Sequence, residues 1–262
     1  MLLVSINNLD MKKWKQYDDI ITDSLWLFSS RDNYGVHDPG FHGNFIPQIP
    51  RQAIIRFTKK GEWVLDPFMG AGTTLIEAKY QGRNAIGIDI NNEILEVAKE
   101  KLKKIESDSI SEVFNADSTD PATYKKLKKI NSNFQLLMIH PPYWDIIHFT
   151  TKVSDLSNSA TLTEFLERID IVIKNTYDLL DPGRYMVFVI GDKYENGALV
   201  PLSFYTLQVI LKYNYVLKGI VVKNIEENKE KRGKYSLWRY RALKSGYFVF
   251  KHEYIYFFKK GE

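Results

Sequence analysis

The segment VLDPFMGAGTTL, residues 64–75, constrains this chain more than any other, because an apolar run, a turn with two glycines and the start of a helical pattern follow without a gap. Gly70 and Gly72 carry no side chain where a ligand must approach the backbone, and the N–H groups opening the helix behind them favour polar or negative ligand atoms. Asp89 follows Gly70 by 19 residues and ends the next strand pattern in GIDIN, where a carboxylate can accept hydrogen bonds from both hydroxyls of a ribose. Asp117, in NADS, closes a third strand pattern and is placed to contact an adenine ring or its exocyclic amine. Strand-end capping explains either acid alone; the succession of glycine turn and acids points to a nucleotide-like ligand.

The same residues narrow that ligand. There is no Gly-Lys-Ser/Thr sequence to hold a triphosphate, and Leu75 stands where a dinucleotide fingerprint has its third glycine. A ligand with adenosine and no phosphates suits the turn, and Asp66 at its start can hold a positively charged amino-acid end.

Strand and helix patterns alternate along most of the chain, the mark of an α/β domain with a largely parallel sheet. The spacing predicts strands at 63–65, 85–89, 111–115, 136–139 and 185–190, and helices over 73–81, 92–104, 163–180 and 202–212, the second capped by Asn91 or Asn92. Asp181-Pro182-Gly183 should stop the long third helix. Two runs rich in aromatic and β-branched residues, 215–222 and 247–258, close the fold. No repeat or Pro/Gly-rich linker divides the chain, so 1–262 is expected to be one domain, with 1–40 as an N-terminal extension and 223–246 as an insertion between the last two strands.

Composition excludes several chemistries. With no cysteine there is no disulfide framework, no thiolate metal site and no cysteine nucleophile. No apolar run approaches the roughly 20 residues that span a bilayer, and the N-terminus reaches Lys12 before a signal-peptide core has formed; a cytoplasmic protein without membrane contact is expected. The net charge of +4 hides an asymmetry: residues 212–262 hold 13 basic and 5 acidic side chains. A C-terminal surface that meets a polyanion would explain it, as would a solvated lysine-rich face.

MIHPPYWDIIHF, residues 138–149, follows the fourth strand pattern directly. Two consecutive prolines remove two backbone donors and leave stiff carbonyl acceptors at the end of the strand, beside the flat faces of Tyr143 and Trp144. Acceptors next to an aromatic platform suit a planar amine, whose conjugated lone pair is a poor nucleophile until its hydrogens are held. A tight turn with aromatics in the core is the competing reading of these residues.

DPFMGAGTT, then GIDIN, then NADS, then PPYW after the fourth strand resembles the amino-methyltransferases of DNA, which make N4-methylcytosine or N6-methyladenine with S-adenosylmethionine. The resemblance runs over residues 41–258. It implies the seven-stranded Rossmann-like sheet of the class I methyltransferases, mostly parallel with an antiparallel terminal pair from 215–222 and 247–258. FHGNFIPQIPRQAI, residues 41–54, is similar to the family's segment that closes over the methionine part of the cofactor. LLDPGRYMVFVIGD and HEYIYFFKK resemble the strand beyond the catalytic one and a common ending. Carried over, the resemblance puts S-adenosylmethionine among Phe45, Asp66, Phe68, Gly70, Gly72, Thr73, Asp89, Ile90, Asp117 and Ser118, and the target amine among His140, Pro141, Pro142 and Tyr143, with Trp144 against the base.

His140 departs from the pattern, which has Asp, Asn or Ser at that position. A neutral imidazole accepts one hydrogen bond and loses that capacity on protonation, so activity is expected to fall below about pH 6.5. Ser-Pro-Pro-Tyr-Trp leans toward cytosine and Asp or Asn toward adenine; Trp144 tilts this chain slightly to cytosine N4. Absence of cysteine excludes the cytosine C5 reaction. Transfer would be direct, with the base flipped from the duplex.

The insertion 223–246 holds eight basic and three acidic residues with Tyr235, Trp238 and Tyr240 between them, and is expected to be a hairpin whose Lys231, Arg232, Trp238, Arg239 and Arg241 face DNA. His37 and His42 near Asp38 lack further ligands, so no metal is expected. Trp14, Tyr17, Trp26 and Phe28 are expected to pack across the sheet or touch DNA. A companion restriction or defence protein would fit the family. An RNA base methyltransferase, or a catalytically silent nucleic-acid-binding subunit, would account for the same residues.

Overall fold

The computed structural model describes residues 5–38, 43–225 and 235–262. In chain order its elements are β1 (Leu25–Trp26), α1 (Gln48–Phe57), β2 (Trp63–Asp66), α2 (Thr73–Tyr80), β3 (Asn84–Asp89), α3 (Asn92–Lys103), β4 (Ser111–Asn115), α4 (Pro121–Leu127), β5 (Phe134–Ile139) and α5 (Leu162–Tyr177). They continue with β6 (Leu180–Ile190), β7 (Lys193–Glu195), β8 (Ala198–Val200), α6 (Leu202–Ile210), β9 (Tyr215–Asn224), α7 (Tyr235–Ser245) and β10 (His252–Lys260).

Eight strands form one sheet in the order β1-β9-β10-β6-β5-β2-β3-β4, and β7 and β8 pair apart from it. β2, β3, β4, β5 and β6 run parallel, while β10 lies antiparallel to both β6 and β9. This is the expected α/β methyltransferase sheet with one strand added, because Leu25–Trp26 pairs parallel with β9 at the edge. Trp26 anchors that addition: it is fully buried, with its ring 5.9 Å from that of Phe257.

The central strand explains the layering. Leu136, Leu137, Met138 and Ile139 of β5 are all fully buried, a run that only helices on both faces can satisfy. Alternate side chains enter opposite cores. Leu136 and Met138 join Ile49, Ile54, Leu75, Ile76 and Leu95, whereas Leu137 and Ile139 join Leu127, Phe165, Ile169, Ile173 and Ile210. Each such side chain contributes about 1.5–3 kcal/mol by leaving water.

Several elements differ from expectation. Gln48–Phe57 is a helix, since Ile49, Ala53, Ile54 and Phe57 share one buried face despite Pro47 and Pro50 nearby. α4 opens with Pro121 behind an Asp120 cap. α5 ends at Tyr177, and Asp181-Pro182-Gly183 lies within β6 rather than before it. Inside the expected hairpin, residues 235–245 form α7, whose Leu, Arg, Ala and Lys favour a helix. As anticipated, Asn91 caps α3, its side-chain Oδ1 accepting from the N–H groups of Glu93 and Ile94. No described helix is long and apolar enough to cross a membrane.

Candidate active site

The C-terminal ends of β2, β3, β4 and β5 open onto one cavity of about 1460 Å³, which reaches from the glycine turn to Phe250 and Glu253. Its size exceeds the ~300–1,000 Å³ of a single small-ligand pocket, leaving room for two ligands end to end.

Local geometry builds the glycine end. Asp66, buried at the tip of β2, accepts a hydrogen bond from Phe68 N–H at 2.9 Å. The chain then turns through Gly70 and Gly72, whose φ values of 51° and 81° lie in the left-handed region open to glycine, and α2 begins at Thr73. Asp89 holds this turn from the neighbouring strand: one carboxylate oxygen accepts from Gly70 N–H at 2.9 Å and the other from Asn91 N–H at 2.8 Å. Each oxygen keeps a further lone pair. Asp117 accepts from the backbone and hydroxyl of Thr119, both at 2.7 Å, and the Ser118 hydroxyl donates to the Pro67 carbonyl, tying the end of β4 to the turn. Phe68, Gly70, Thr73, Ile90 and Phe45 line the cavity with these acids. Gly72 is absent from the lining; it starts α2 instead.

Burial shapes the acids. It pushes Asp66 up to about 7, against the hydrogen bond from Phe68, and raises Asp89, against the N–H groups of Asn91 and Gly70. Three carboxyl groups at successive strand ends, around a turn without a phosphate-binding lysine, suit hydroxyls, an amine and a cationic group. That donor set fits S-adenosylmethionine, which carries an ammonium group, ribose hydroxyls and an adenine amine.

The other end of the cavity starts where β5 gives way to His140-Pro141-Pro142-Tyr143, all four lining it. The His140 Nε2 lies 3.1 Å from the Tyr143 hydroxyl, which donates to Glu253 of β10 at 2.8 Å. Lys223 of β9, directly opposite Glu253 in the strand register, donates to the other carboxylate oxygen at 2.9 Å. Phe45 packs on His140 with ring centroids 4.8 Å apart. Gly191, just beyond β6, makes room for the Tyr143 ring, since a Cβ there would stand 2.7 Å from it.

This end corrects two expectations. Burial pushes His140 down to about 4, so its ring stays neutral well below the pH of 6.5 at which activity was expected to fall. Trp144 is 6% exposed and does not line the cavity; its N–H donates to the Ser159 carbonyl at 2.9 Å and Lys193 lies 4.1 Å from its ring centroid. The Trp144 ring serves the core rather than a base. Glu253, Lys223 and Gly191 were missed from sequence. Charged residues inside the apolar runs 215–222 and 247–258, or at their margins, were the available signal.

On the insertion, Trp238 of α7 is half-buried and lines the cavity, with the Arg241 guanidinium 5.3 Å from its ring centroid; Arg239 and Arg241 are exposed. Lys231 and Arg232 lie outside the described residues. An adjoining cleft of about 450 Å³ shares Trp238 and Phe250 with the cavity. His37 bonds to buried Glu77 at 2.8 Å and fastens the N-terminal segment to α2; His42 lies outside the described residues. Trp14 is exposed.

A family model described as DNA methylase matches residues 3–100, and one described as conserved hypothetical protein 95 matches residues 52–178. The Type II methyltransferase M2.LlaDCHI of Lactococcus lactis subsp. cremoris is 40% identical over 91 residues, 34% of this chain and 32% of that protein. The tRNA (guanine(10)-N2)-dimethyltransferase of Pyrococcus abyssi is 31% identical over 154 residues, 57% of this chain and 45% of that protein. Among solved structures, TrmN from Thermus thermophilus is similar with a TM-score of 0.53 at 16% identity, covering 84% of this chain and 50% of that one. The chain spans a third or less of the length of the Type II relatives it matches. The fold is that of the S-adenosylmethionine-dependent methyltransferases, and by motif order and by these matches the chain is similar, over residues 3–100, to the DNA amino-methyltransferase family.

Proposed function

We propose that this protein transfers a methyl group from S-adenosylmethionine to an exocyclic amine of a DNA base, with cytosine N4 favoured over adenine N6. The observation that carries the reading is the single cavity with the three strand-end acids at one end and the His140-Pro141 acceptors at the other. S-adenosylmethionine supplies an electrophilic methyl group. The chain's part is to hold the amine hydrogens on acceptors, so that the nitrogen lone pair is aimed rather than conjugated, and to keep water out while the nitrogen–carbon bond forms as the sulfur–methyl bond breaks to a neutral thioether; the extra proton of the methylated amine then passes to solvent. The preference for cytosine rests on the resemblance of Pro-Pro-Tyr-Trp alone, since buried Trp144 offers no base contact. Tyr143 remains to face the base, and Trp238, Arg239 and Arg241 of α7 to meet the flanking nucleic acid.

An RNA base is the second reading, favoured by the longer match to a protein named as a tRNA guanine-N2 dimethyltransferase. Incubating the protein with methyl-labelled S-adenosylmethionine and either unmethylated duplex DNA or total RNA, then identifying labelled nucleosides by mass, tests both. N4-methylcytosine or N6-methyladenine from DNA is the expected outcome. Label in RNA alone would overturn it in favour of the second reading.

A further inference from the structure

The chain of polar groups behind His140 has a fixed direction. Lys223 has three donors and no acceptor, so the contact at 2.9 Å runs from it to Glu253. Burial alone would raise the Glu253 carboxyl, but the Lys223 ammonium and the hydrogen bonds from Lys223 and Tyr143 oppose it and hold the carboxyl below its usual value, so it is an acceptor only. Tyr143 has one proton, and that proton goes to Glu253 at 2.8 Å. The tyrosine oxygen facing His140 Nε2 at 3.1 Å is therefore the acceptor, and the imidazole must be the donor. A neutral imidazole with its proton on Nε2 has a bare lone pair on Nδ1. Among the described residues Nδ1 has no hydrogen-bond partner, and the ring lines the cavity.

We propose that Glu253, set by Lys223 and acting through Tyr143, is a positioning residue that locks His140 in the Nε2-protonated form, so that Nδ1 becomes the acceptor for the target amine in place of the family's Asp, Asn or Ser side chain. The inference deepens the proposed function and rests on it for the identity of the amine. It explains how a residue that can donate or accept is made to accept. It also gives a role to a buried ion pair between Lys223 and Glu253, each under a tenth exposed, which is costly to bury unless both ends are satisfied.

The proposal makes an inverted prediction for a nearly isosteric change. In Glu253→Gln, Lys223 occupies the only acceptor oxygen and the amide NH₂ turns to Tyr143. Tyr143 then donates to His140 Nε2, and the imidazole proton moves to Nδ1, presenting a donor where the amine needs an acceptor. In the double variant Lys223→Met with Glu253→Gln, the amide oxygen is free to face Tyr143 again and the original direction returns.

Nitrogen NMR of the full chain with ¹⁵N-labelled histidine reads the tautomer directly, with the His140 signals identified by their loss in His140→Gln. The expected result is an Nε2-protonated ring in the wild type, an Nδ1-protonated ring in Glu253→Gln with kcat lower by about a hundredfold and cofactor affinity within twofold, and recovery of both tautomer and most of the rate in the double variant. A wild-type ring protonated on Nδ1, or a single variant with unchanged tautomer, would overturn the proposal; so would a double variant that regains the tautomer and stays as slow as the single. Should Glu253→Gln fail to fold, Tyr143→Phe, which removes the oxygen that accepts from Nε2, should give a mixture of both tautomers, and one unchanged form would overturn the proposal. If the wild type methylates neither DNA nor RNA, the functional reading falls while the tautomer measurements still decide the relay.

Discussion

The two ends of the cavity are held by different kinds of contact. At the glycine end each acid is fastened by backbone N–H groups close by: Asp66 by Phe68, Asp89 by Asn91 two residues on and Gly70 nineteen back, Asp117 by Thr119. At the His140 end the decisive contacts join distant parts of the chain, with Tyr143 reaching Glu253 over 110 positions and Glu253 reaching Lys223 over 30. Short-range backbone contacts form with the strand and its turn, so a carboxyl group is set there by local conformation. Long-range side-chain contacts exist only once β9, β10 and β5 share a sheet. The glycine end should therefore tolerate changes in the distant strands, whereas the reactive end depends on all three strands at once.

Substitutions at the two ends should separate binding from turnover. His140→Ala removes an acceptor from the amine and should lower kcat by about 10²–10³ while leaving the cofactor Kd within twofold, as single-turnover rates and calorimetry would show. Equal losses in both would mean that the ends are not independent. Asp89→Ala should do the reverse, weakening cofactor binding by about 10²–10⁴-fold, since two hydrogen bonds to a charged acceptor contribute about 1.5–3 kcal/mol each. It should also loosen the turn, because Gly70 and Asn91 lose their acceptor. A cofactor Kd unchanged in Asp89→Ala would remove Asp89 from the ribose.

The same division decides how much could be read in advance. The strand-turn-helix at 64–75 and the acids at 66, 89 and 117 were legible because their contacts are local and their spacing is imposed by strand length. α1 was not, since Pro47 and Pro50 conceal the period of Ile49, Ala53, Ile54 and Phe57, which only packing on β5 and β6 reveals. Trp144 was misplaced for a related reason: its backbone sits at φ 53° and turns the ring toward Ser159, a conformation the motif does not encode. Glu253 and Lys223 read as ordinary charges at strand margins until the register set them opposite each other and Tyr143 above them.

Proton uptake sharpens the contrast. Asp66 titrates near 7 because burial disfavours its charge, and an ammonium group beside it needs the carboxylate. As pH falls through 7 the acid must first lose a proton to bind, so cofactor affinity should weaken toward tenfold for each further unit, with proton release on binding measurable in buffers of different ionisation enthalpy. His140 is lowered to about 4, so it remains neutral over the same range and kcat at saturating cofactor should show no loss from it between pH 5 and 8. Affinity that is flat from pH 5 to 8 would separate Asp66 from the ammonium; a kcat that halves near pH 6.5 would show that His140 is less buried than its contacts with Phe45 and Tyr143 indicate.

The smallest effect is expected outside the cavity, on α7, where charge and aromatic surface can be told apart. Arg239 and Arg241 are exposed, and exposed arginines that meet nucleic acid contact phosphates and displace counterions. Replacing both with Gln keeps a helix-forming side chain, and should make the dependence of log binding constant on log salt shallower by about 2, with a loss of only a few-fold at low salt. Trp238 works differently, since a half-buried ring at the cavity wall acts by stacking or shape, so Trp238→Ala should weaken binding by about 1–3 kcal/mol at every salt concentration without altering the slope. If the arginine pair leaves the slope unchanged while Trp238→Ala weakens binding, α7 is an extension of the base-holding end. If the slope falls and Trp238→Ala has no effect, the helix is a phosphate clamp and recognition of the flanking sequence lies elsewhere.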